Sequence, residues 1–314
     1  MDENMKIQEL LRARADCYAR LNLLPYDGTP EIKEINGKKY LYIRKRMASK
    51  ISSTYVDVYS EQLHQLLLRN AREARELRKA IRRADRELAR LNYTEQELPP
   101  RVILNLDFAR ANMKSNIYDQ AVLEGVATTF PQTEDILENG IVNGVKASDV
   151  QKILNLKHAW EFILDKDIIR SGAHYYVLCH IAKLVNEGFY SDGGRLRGVP
   201  VAIGGTSYTP PILIESKVRD ELDSLLSSGD RDEVDSAIEL CLYCMKNQLF
   251  NDGNKRTAVI FASYYLIANG AGLLVIPEAL VPEFKKLLIA YYEDKDNGAL
   301  AIFMREKCWK RIGA

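Results

Sequence analysis

The chain has 314 residues, of which 44 are lysine or arginine and 43 are aspartate or glutamate, so its formal net charge at pH 7 is +1. This length can bury one sizeable core and a smaller module, and the balanced charge gives no global bias toward nucleic acid or anionic membranes. The five cysteines are odd in number and scattered in a chain too large to need disulfide bonds, which favours a reducing, cytoplasmic setting.

The first part of the sequence predicts a small α+β module over residues 1–98. Residues 2–22 indicate a helix that begins among charged residues, so we expect no secretory signal. Alternating residues on both sides of Asn36-Gly37 predict a β-hairpin, and residues 53–59 predict a third strand.

The stretch 38–50 of this module is unusually basic, with Tyr40 and Tyr42 interleaved among its cations and no acidic residue. A nucleic-acid contact would use such a mix, with cations on phosphates and aromatic rings on bases. A solvated edge strand protected from aggregation uses charges in the same way. We favour the edge strand and keep nucleic acid as the alternative. The basic residues are Lys38, Lys39, Arg44, Lys45, Arg46 and Lys50.

Residues 60–92 predict one long helix, capped by Ser60, with a coiled-coil-like seam. The seam positions alternate by four and three residues: Leu63, Leu67, Asn70, Ala74, Leu77, Ile81, Ala84, Leu88 and Leu91. Such a seam needs a partner helix, which is either residues 2–22 folded back or the same helix of a second chain in a homodimer. The arginines on the other faces of this helix are mixed with acidic residues, which indicates a solvated surface rather than a nucleic-acid-binding surface.

Pro99-Pro100 predicts the boundary to a second, mainly helical domain over residues 101–314. Cys241 and Cys244 lie on an apolar helical pattern without a second ligand pair, so we expect them in the core rather than on zinc. Residues 257–277 carry no charge, but Asn269-Gly270 ends that helix too early for a membrane span. The sequence therefore predicts no membrane partner.

The stretch 248–257 lies between two long apolar helix patterns and contains the turn residues Asn251, Asp252 and Gly253. Such a turn points the free N–H groups of the following helix outward, beside the positive end of its dipole, where a phosphate binds well. Asp252 is a candidate ligand for Mg²⁺. We expect Asn254 and Arg256 to hydrogen-bond phosphate oxygens and Lys255 to add positive charge.

This stretch resembles the signature of the Fic/Doc family, His-x-Phe-x-(Asp/Glu)-(Gly/Ala)-Asn-(Gly/Lys)-Arg. The signature is matched by Phe250, Asp252, Gly253, Asn254 and Arg256. At the position before the arginine, Lys255 is the residue typical of Doc-like members. The resemblance implies ATP, or another nucleotide, with Mg²⁺ as cofactors and AMP transfer to a hydroxyl of a target protein. Doc-like members transfer a phosphate instead.

Two residues depart from the family pattern. Gln248 stands where the family has its histidine base, and a carboxamide can orient a hydroxyl but cannot take its proton. Loss of a general base typically removes roughly 10²–10⁴-fold in rate. Val259 replaces an arginine that many members use for the terminal phosphate. The four histidines, His64, His158, His174 and His180, are distant in sequence, and we expect each to be a structural or surface residue. The alternative is that one replaces the missing base in space, and His174 or His180 is the first candidate.

Residues 121–126 resemble the inhibitory helix of many Fic proteins, in which a glutamate after a Ser/Thr-x-x-x motif enters the nucleotide site. Here Glu124 is that glutamate and Gln120 replaces the Ser/Thr. The resemblance implies a regulatory role for Glu124. Because Val259 removes its usual partner, Glu124 either reaches Arg256 or is an ordinary carboxylate at a helix end.

Residues 199–211 resemble the Fic flap, a β-hairpin before the signature that ends in a Pro-Pro pair. In the family the flap binds the target protein by adding the modified segment as an extra strand. The alternative is an ordinary surface hairpin. The candidate docking residues are Val201, Ile203, Gly204, Gly205, Thr206 and Tyr208.

We therefore expect a mainly α fold, a Fic-like helical domain with a β-hairpin flap behind the small α+β module. Two functions are open: nucleotide-dependent modification of a target protein, impaired by Gln248, or a catalytically silent nucleotide-sensing or protein-interaction module.

Overall fold

The computed structural model describes residues 3–26, 28–47, 50–139, 144–227 and 232–313, and at residues 46, 47 and 50 it describes the backbone only. The chain forms two compact units, residues 1–94 and residues 95–314. The division lies a few residues before the boundary predicted at Pro99-Pro100. The side chains of Arg46 and Lys50, part of the basic stretch, lie outside the described residues.

The first unit combines two helices with a three-stranded antiparallel sheet in the order β1-β2-β3. Asn36 and Gly37 both have positive φ, 53° and 75°, as a two-residue hairpin turn requires, and Ile35 pairs with Lys38 across it. The predicted hairpin is confirmed. The elements are α1 (Glu3–Leu23), β1 (Thr29–Ile35), β2 (Lys38–Met47), β3 (Lys50–Val58) and α2 (Glu61–Arg90).

The partner of the long helix α2 is α1 of the same chain. Asn70, the polar position in the predicted seam, is buried and donates its side-chain amide to Pro25 O at 3.0 Å. Arg14 pairs with Asp85 at 2.8 Å, so α1 runs back along α2. The folded-back alternative is therefore present within the chain, and homodimerisation stays a prediction.

One face of the sheet packs on α2. Leu41 and Ile43 of β2 form a small core with Leu67 of α2, so the alternate residues Tyr40 and Tyr42 face the other way. Tyr55 of β3 joins these two tyrosines on the outer face. The sheet thus presents an aromatic surface opposite its core.

The second unit is mainly helical. Its first helices are α3 (Pro100–Ala111), α4 (Met113–Leu123), α5 (Phe130–Asn139), α6 (Ala147–Ile163), α7 (Lys166–Ser171) and α8 (Tyr175–Val185). Next come α9 (Glu215–Leu226), α10 (Glu233–Asn247), α11 (Asn254–Ala268), β4 (Leu273–Leu274), a 3₁₀ turn (Glu278–Leu280) and α12 (Val281–Tyr292). The chain closes with α13 (Ala299–Phe303), a π-helical turn (Met304–Cys308) and β5 (Trp309–Lys310), which pairs with β4.

Helix α11 is the centre of this unit because it is apolar on all sides and buried along nearly its whole length. Its polar side chains find internal acceptors. The Ser263 hydroxyl donates to Leu274 O at 2.8 Å, and the Tyr264 hydroxyl donates to Ile168 O at 2.7 Å. The core therefore fixes the start of α11, where the signature lies.

The mainly α fold is confirmed, with one difference in detail. Residues 199–214 form no strand and make a loop with a turn at Gly204-Gly205. The flap thus has the course of a hairpin without its β-ladder. Cys241 and Cys244 are buried, as expected of core residues. No helix in the described ranges is long and apolar enough to cross a membrane.

Candidate functional site

The signature turn is held by its own side chains between α10 and α11. Leu249 and Phe250 are buried and anchor it in the core. The Asn254 carboxamide oxygen accepts from Phe250 N at 2.8 Å, and its Nδ2 donates to Phe250 O at 2.7 Å and to Gln248 Oε1 at 3.1 Å. These bonds occupy both donors of Asn254. The sequence predicted that Asn254 hydrogen-bonds a phosphate. Because its side-chain donors are occupied, such a contact would come through its main-chain N–H.

Gly253 ends the turn in the left-handed region, with φ of 70°. A Cβ at this position would lie 2.8 Å from both Asn186 Oδ1 and Val185 Cγ1. Asn186, at the end of α8, donates to Asp252 O at 3.0 Å and to Gly193 O at 3.2 Å. A glycine is thus needed for the backbone conformation and for the close approach of α8.

The first turn of α11 has no side-chain cap, because Gly253 is its N-cap residue. The first intrahelical bond runs from Thr257 N to Gly253 O, so the N–H groups of residues 254–256 have no acceptor within the helix. This is the arrangement that binds anions at helix N-termini.

The guanidinium of Arg256 is buried rather than presented at the surface. The side chain is only 2% exposed. It donates to Val185 O at 3.3 Å and to Asp252 Oδ2 at 3.3 Å, and its Nε lies 3.4 Å from Glu124 Oε2. A buried arginine that faces two carboxylates is electrostatically satisfied, so a phosphate must compete with a carboxylate to reach it.

Glu124 reaches the signature from α4. Its carboxylate lies 3.5 Å from Lys255 Nζ as well as near Arg256. Gly125, with φ of 77°, closes α4 in a Schellman turn, in which Val126 N bonds Ala121 O and Gly125 N bonds Val122 O. A negative charge at a helix C-terminus interacts unfavourably with the helix dipole. The position of the Glu124 carboxylate is therefore explained by the two cations and not by helix capping.

Four buried polar atoms around this turn have no hydrogen-bond partner among the described residues: Arg256 Nε, the Thr257 hydroxyl, Glu124 Oε1 and Asn186 Oδ1. Two of these are donors, beside Lys255 and the free N–H groups of α11. A phosphate supplies acceptor oxygens to donors of this kind. The chemistry of the turn therefore fits a phosphate group.

Asp252 is the candidate Mg²⁺ ligand, and its carboxylate is 47% exposed while it pairs with Arg256. Among the described residues no group of three acidic, histidine or cysteine side chains is arranged to hold a metal. Since Mg²⁺ commonly uses one or two carboxylates with water and substrate phosphates, Asp252 fits that pattern only together with a phosphate.

Gln248 occupies the position expected of a base, at the end of α10. Its backbone is left-handed, with φ of 46° and ψ of 63°. Its Nε2 donates to Met245 O at 2.7 Å, and its side chain is within hydrogen-bonding reach of the Tyr292 hydroxyl. Burial raises the pKa of Tyr292 and of Tyr208, so both phenols stay protonated near neutral pH. Neither of these neighbours supplies the missing base.

The histidines have neighbours elsewhere. His180 stacks on Phe162 with ring centroids 4.4 Å apart, and His174 lies against Tyr176. His158 is buried beside Glu187. In the described part of the chain, these contacts do not bring a histidine to Gln248.

Arg197 joins the flap to the signature turn. This buried side chain donates to Gln248 O at 2.6 Å and Asn247 O at 3.1 Å, the last carbonyls of α10. It also donates to Val199 O at 2.8 Å and Pro211 O at 2.6 Å, the two ends of the flap. A cation at a helix C-terminus is favourable, and here it also fixes the base of the loop.

The tip of the flap rests on the end of α12. The Thr206 hydroxyl donates to Glu293 Oε1 at 2.9 Å and accepts from Tyr208 N at 3.1 Å. The rings of Tyr208 and Tyr292 stack with centroids 5.9 Å apart. Gly204 and Gly205 at the turn are exposed, while Val201 and Ile203 are half-buried. The flap is thus placed beside Gln248 by side-chain contacts.

Comparison with known proteins agrees with this geometry. The sequence model of the Fic/DOC family matches residues 174–266, which include α8, the flap and the signature. Residues 174–266 form a Fic/DOC domain. A second model, a domain of unknown function (DUF6788), matches residues 5–65 in the first unit. No curated protein matches the chain significantly.

Solved Fic structures share the fold of this Fic domain. A Fic domain containing signaling protein from Bacteroides thetaiotaomicron has 16% identity and a TM-score of 0.54, covering 67% of this chain and 86% of that one. Fic-1 (residues 134–508) from C. elegans has 19% identity and a TM-score of 0.50, covering 79% and 73%. A Fic family protein from Desulfovibrio desulfuricans has 16% identity and a TM-score of 0.50, covering 68% and 76%.

Within the Fic domain, Val259 is fully buried in α11, so the position is part of the core. Sequence reasoning missed Arg197, Asn186 and Tyr292, since each reaches the turn from a different element. For Arg197 a signal existed: it is a basic residue between the glycine-rich loop and the flap.

Proposed function

We propose that the Fic domain binds ATP with Mg²⁺ at the start of α11 and that its transfer of AMP to a hydroxyl of a target protein is impaired by Gln248. The observation that carries the proposal is the cluster at the helix start. The Thr257 hydroxyl, free main-chain N–H groups and two cations meet there, and the Glu124 carboxylate supplies the negative charge that a phosphate would bring.

In this proposal each residue has a defined task. The N–H groups of residues 254–256 and the cations Lys255 and Arg256 hold phosphate oxygens, and Asp252 holds Mg²⁺. Bound Mg²⁺ would neutralise phosphate charge. Gln248 orients the attacking hydroxyl but leaves its proton in place.

Glu124 regulates the site by competition. Its carboxylate contacts the same two cations that a phosphate needs, so the ion pair and the nucleotide exclude each other. The family resemblance supports this role, although the contact is to Arg256 and not to an arginine at position 259.

The flap is the proposed docking edge for the target protein. Its backbone does not form a β-ladder, and Val199, Ile212 and Ile214 are exposed by 58%, 81% and 61%. An added strand would pair with such an edge, and these apolar side chains would contact the target.

A second function, a catalytically silent nucleotide-sensing or protein-interaction module, is favoured by the state of Gln248. Its amide bonds Met245 O and Asn254, and the phenols beside it stay protonated. The two functions differ only in whether a proton can leave the attacking hydroxyl.

Transfer can be tested with ATP labelled on the α- or the γ-phosphate, incubated with lysate and either the original chain or Gln248→His. Histidine is among the residues that tolerate left-handed backbone, so the variant should fold. We expect α-label transfer that rises roughly 10²–10⁴-fold in Gln248→His.

The result separates the possibilities. Label from Gln248→His alone favours the silent module, and γ-label instead of α-label indicates phosphate transfer. Absence of ATP binding and of labelling in both proteins would contradict the proposed function.

A further inference from the structure

The two units carry opposite net charges, which the balanced total conceals. Residues 1–94 contain 20 lysines and arginines against 13 aspartates and glutamates, a net charge of +7. Residues 95–314 contain 24 against 30, a net charge of −6. A strongly basic module indicates a polyanionic partner for the first unit.

The positive charge converges on a cavity of about 280 Å³ between the sheet and α2. Its described lining residues include four basic side chains and no acidic one: Arg44, Lys45, Arg75 and Arg78, with Gly28, Thr29 and Ala71. Asp27, the neighbour of Gly28, lies outside the described residues. A concave site lined by several cations has the chemistry of a phosphate site.

Gly28, one of the lining residues, lies close to β2 where the chain enters β1. A Cβ there would lie 2.4 Å from Ile43 Cγ2 and 2.9 Å from Arg44 O. The backbone therefore approaches β2 more closely than any other residue permits, and brings the rim of the cavity against Arg44.

The outer face of the sheet carries three tyrosines on the side of β2 that also bears Arg44. Tyr55 lies 6.2 Å from Tyr40 and 5.6 Å from Tyr42 between ring centroids, and Tyr55 is 50% exposed. Lys33 lies 4.3 Å above the Tyr42 ring. Arg44 lines the cavity and is two residues from Tyr42, so its side chain leaves β2 on the same side as the tyrosines.

We propose that this surface of the first unit binds single-stranded nucleic acid, with a backbone phosphate in the cavity and bases stacked on the tyrosines. Cationic grooves beside exposed aromatic rings are the means by which proteins hold single strands without reading sequence. Two of the six basic residues of 38–50, Arg44 and Lys45, line the same cavity. The favoured interpretation of this stretch as an edge strand is wrong, because β2 is the central strand of the sheet and pairs with both β1 and β3.

Fluorescence anisotropy of the full chain with labelled single-stranded DNA and RNA 12-mers, over a range of salt concentrations, tests the proposal. We expect affinity that falls with salt with a slope near −0.7 for each phosphate contact. Tyr55→Ala should lower the affinity by about 5- to 150-fold, the range of base–aromatic stacking, while Tyr55→Phe retains it.

The cavity is tested by charge-matched variants of α2. Arg75→Gln should weaken binding and reduce the salt slope by about one phosphate contact. Arg83→Gln removes the same charge from an exposed position outside the cavity and should leave binding unchanged. Circular dichroism and thermal midpoints confirm that all variants are folded.

Three results would overturn the proposal. They are no binding of either oligonucleotide, equal loss in Arg75→Gln and Arg83→Gln, and binding that is insensitive to Tyr55→Ala. Binding of phosphatidylserine vesicles in place of oligonucleotides would assign the surface to a membrane instead.

Discussion

The signature turn can form only because Gly253 has no side chain. It combines positive φ with two atoms 2.8 Å from the place of a Cβ. We expect Gly253→Ala to lower the free energy of unfolding by about 2–4 kcal/mol, from left-handed strain and overpacking together. Chemical denaturation measures this.

Gly204→Ala is the matched control for that experiment. Gly204 has no atom within 4 Å of its added Cβ and no positive φ. Its substitution should leave the free energy of unfolding nearly unchanged. Equal losses at both positions would show that the turn does not depend on Gly253.

The turn illustrates what the sequence could and could not provide at this scale. Asn251-Asp252-Gly253 predicted the bend through local backbone preferences. The burial of Arg256 was not predictable, because it depends on Val185 and Glu124, which are distant in sequence. Asn254 was assigned to phosphate, but short-range bonds to Phe250 use its side chain.

At the scale of elements, Arg197 connects the flap to the end of α10 through four carbonyl oxygens. Lysine cannot reproduce a planar fork with several donors, so Arg197→Lys leaves buried carbonyls unpaired. We expect a loss of about 2–4 kcal/mol in the free energy of unfolding. Limited proteolysis should cut residues 199–214 faster in this variant.

The neighbouring Arg195→Lys tests whether the effect is specific to the buried position, because Arg195 is exposed. It should leave both the unfolding curve and the proteolysis rate unchanged. A flap that is cut at the same rate in Arg197→Lys and the original chain would contradict the assigned role.

Elements with a strong local signal were predicted correctly. Asn36-Gly37 specified the hairpin, and Ser60 caps α2 by accepting from Leu63 N at 3.2 Å. The flap strands were not formed, since side-chain contacts from Arg197 and Thr206 to other elements hold that loop. Tertiary contacts therefore overrode a glycine-rich hairpin pattern.

At the scale of the whole molecule, burial protects the thiols of the Fic domain. Burial raises the pKa of Cys179 to about 11 and of Cys244 and Cys308 to about 12, from an ordinary value of 9.0. Because the folded pKa is the higher one, this stabilisation is complete below pH 9 and is lost as pH rises toward 12.

We therefore expect the denaturation midpoint to fall between pH 9 and pH 12. Near neutral pH, a thiol reagent should react slowly with the buried Cys241, Cys244 and Cys308 of the native chain and rapidly after denaturation. A midpoint that rises over this pH range, or fast native reaction of the buried thiols, would contradict the account.

The overall division into a basic and an acidic unit could have been found from the sequence. The total charge of +1 concealed it, and a count taken separately over each predicted domain shows it. The position of Glu124 against α11 could not be found in this way, because it depends on how α4 packs.

The most direct test of the central claim is the affinity of the chain for ATP with Mg²⁺, measured by calorimetry with and without Glu124→Gln. Removing the carboxylate's charge frees Lys255 and Arg256 for phosphate, so we expect binding to tighten by about tenfold. Glu134→Gln, which alters a surface pair with Lys114, should leave the affinity unchanged. If Glu124→Gln binds ATP no more tightly than the original chain, the start of α11 is not the phosphate site described here.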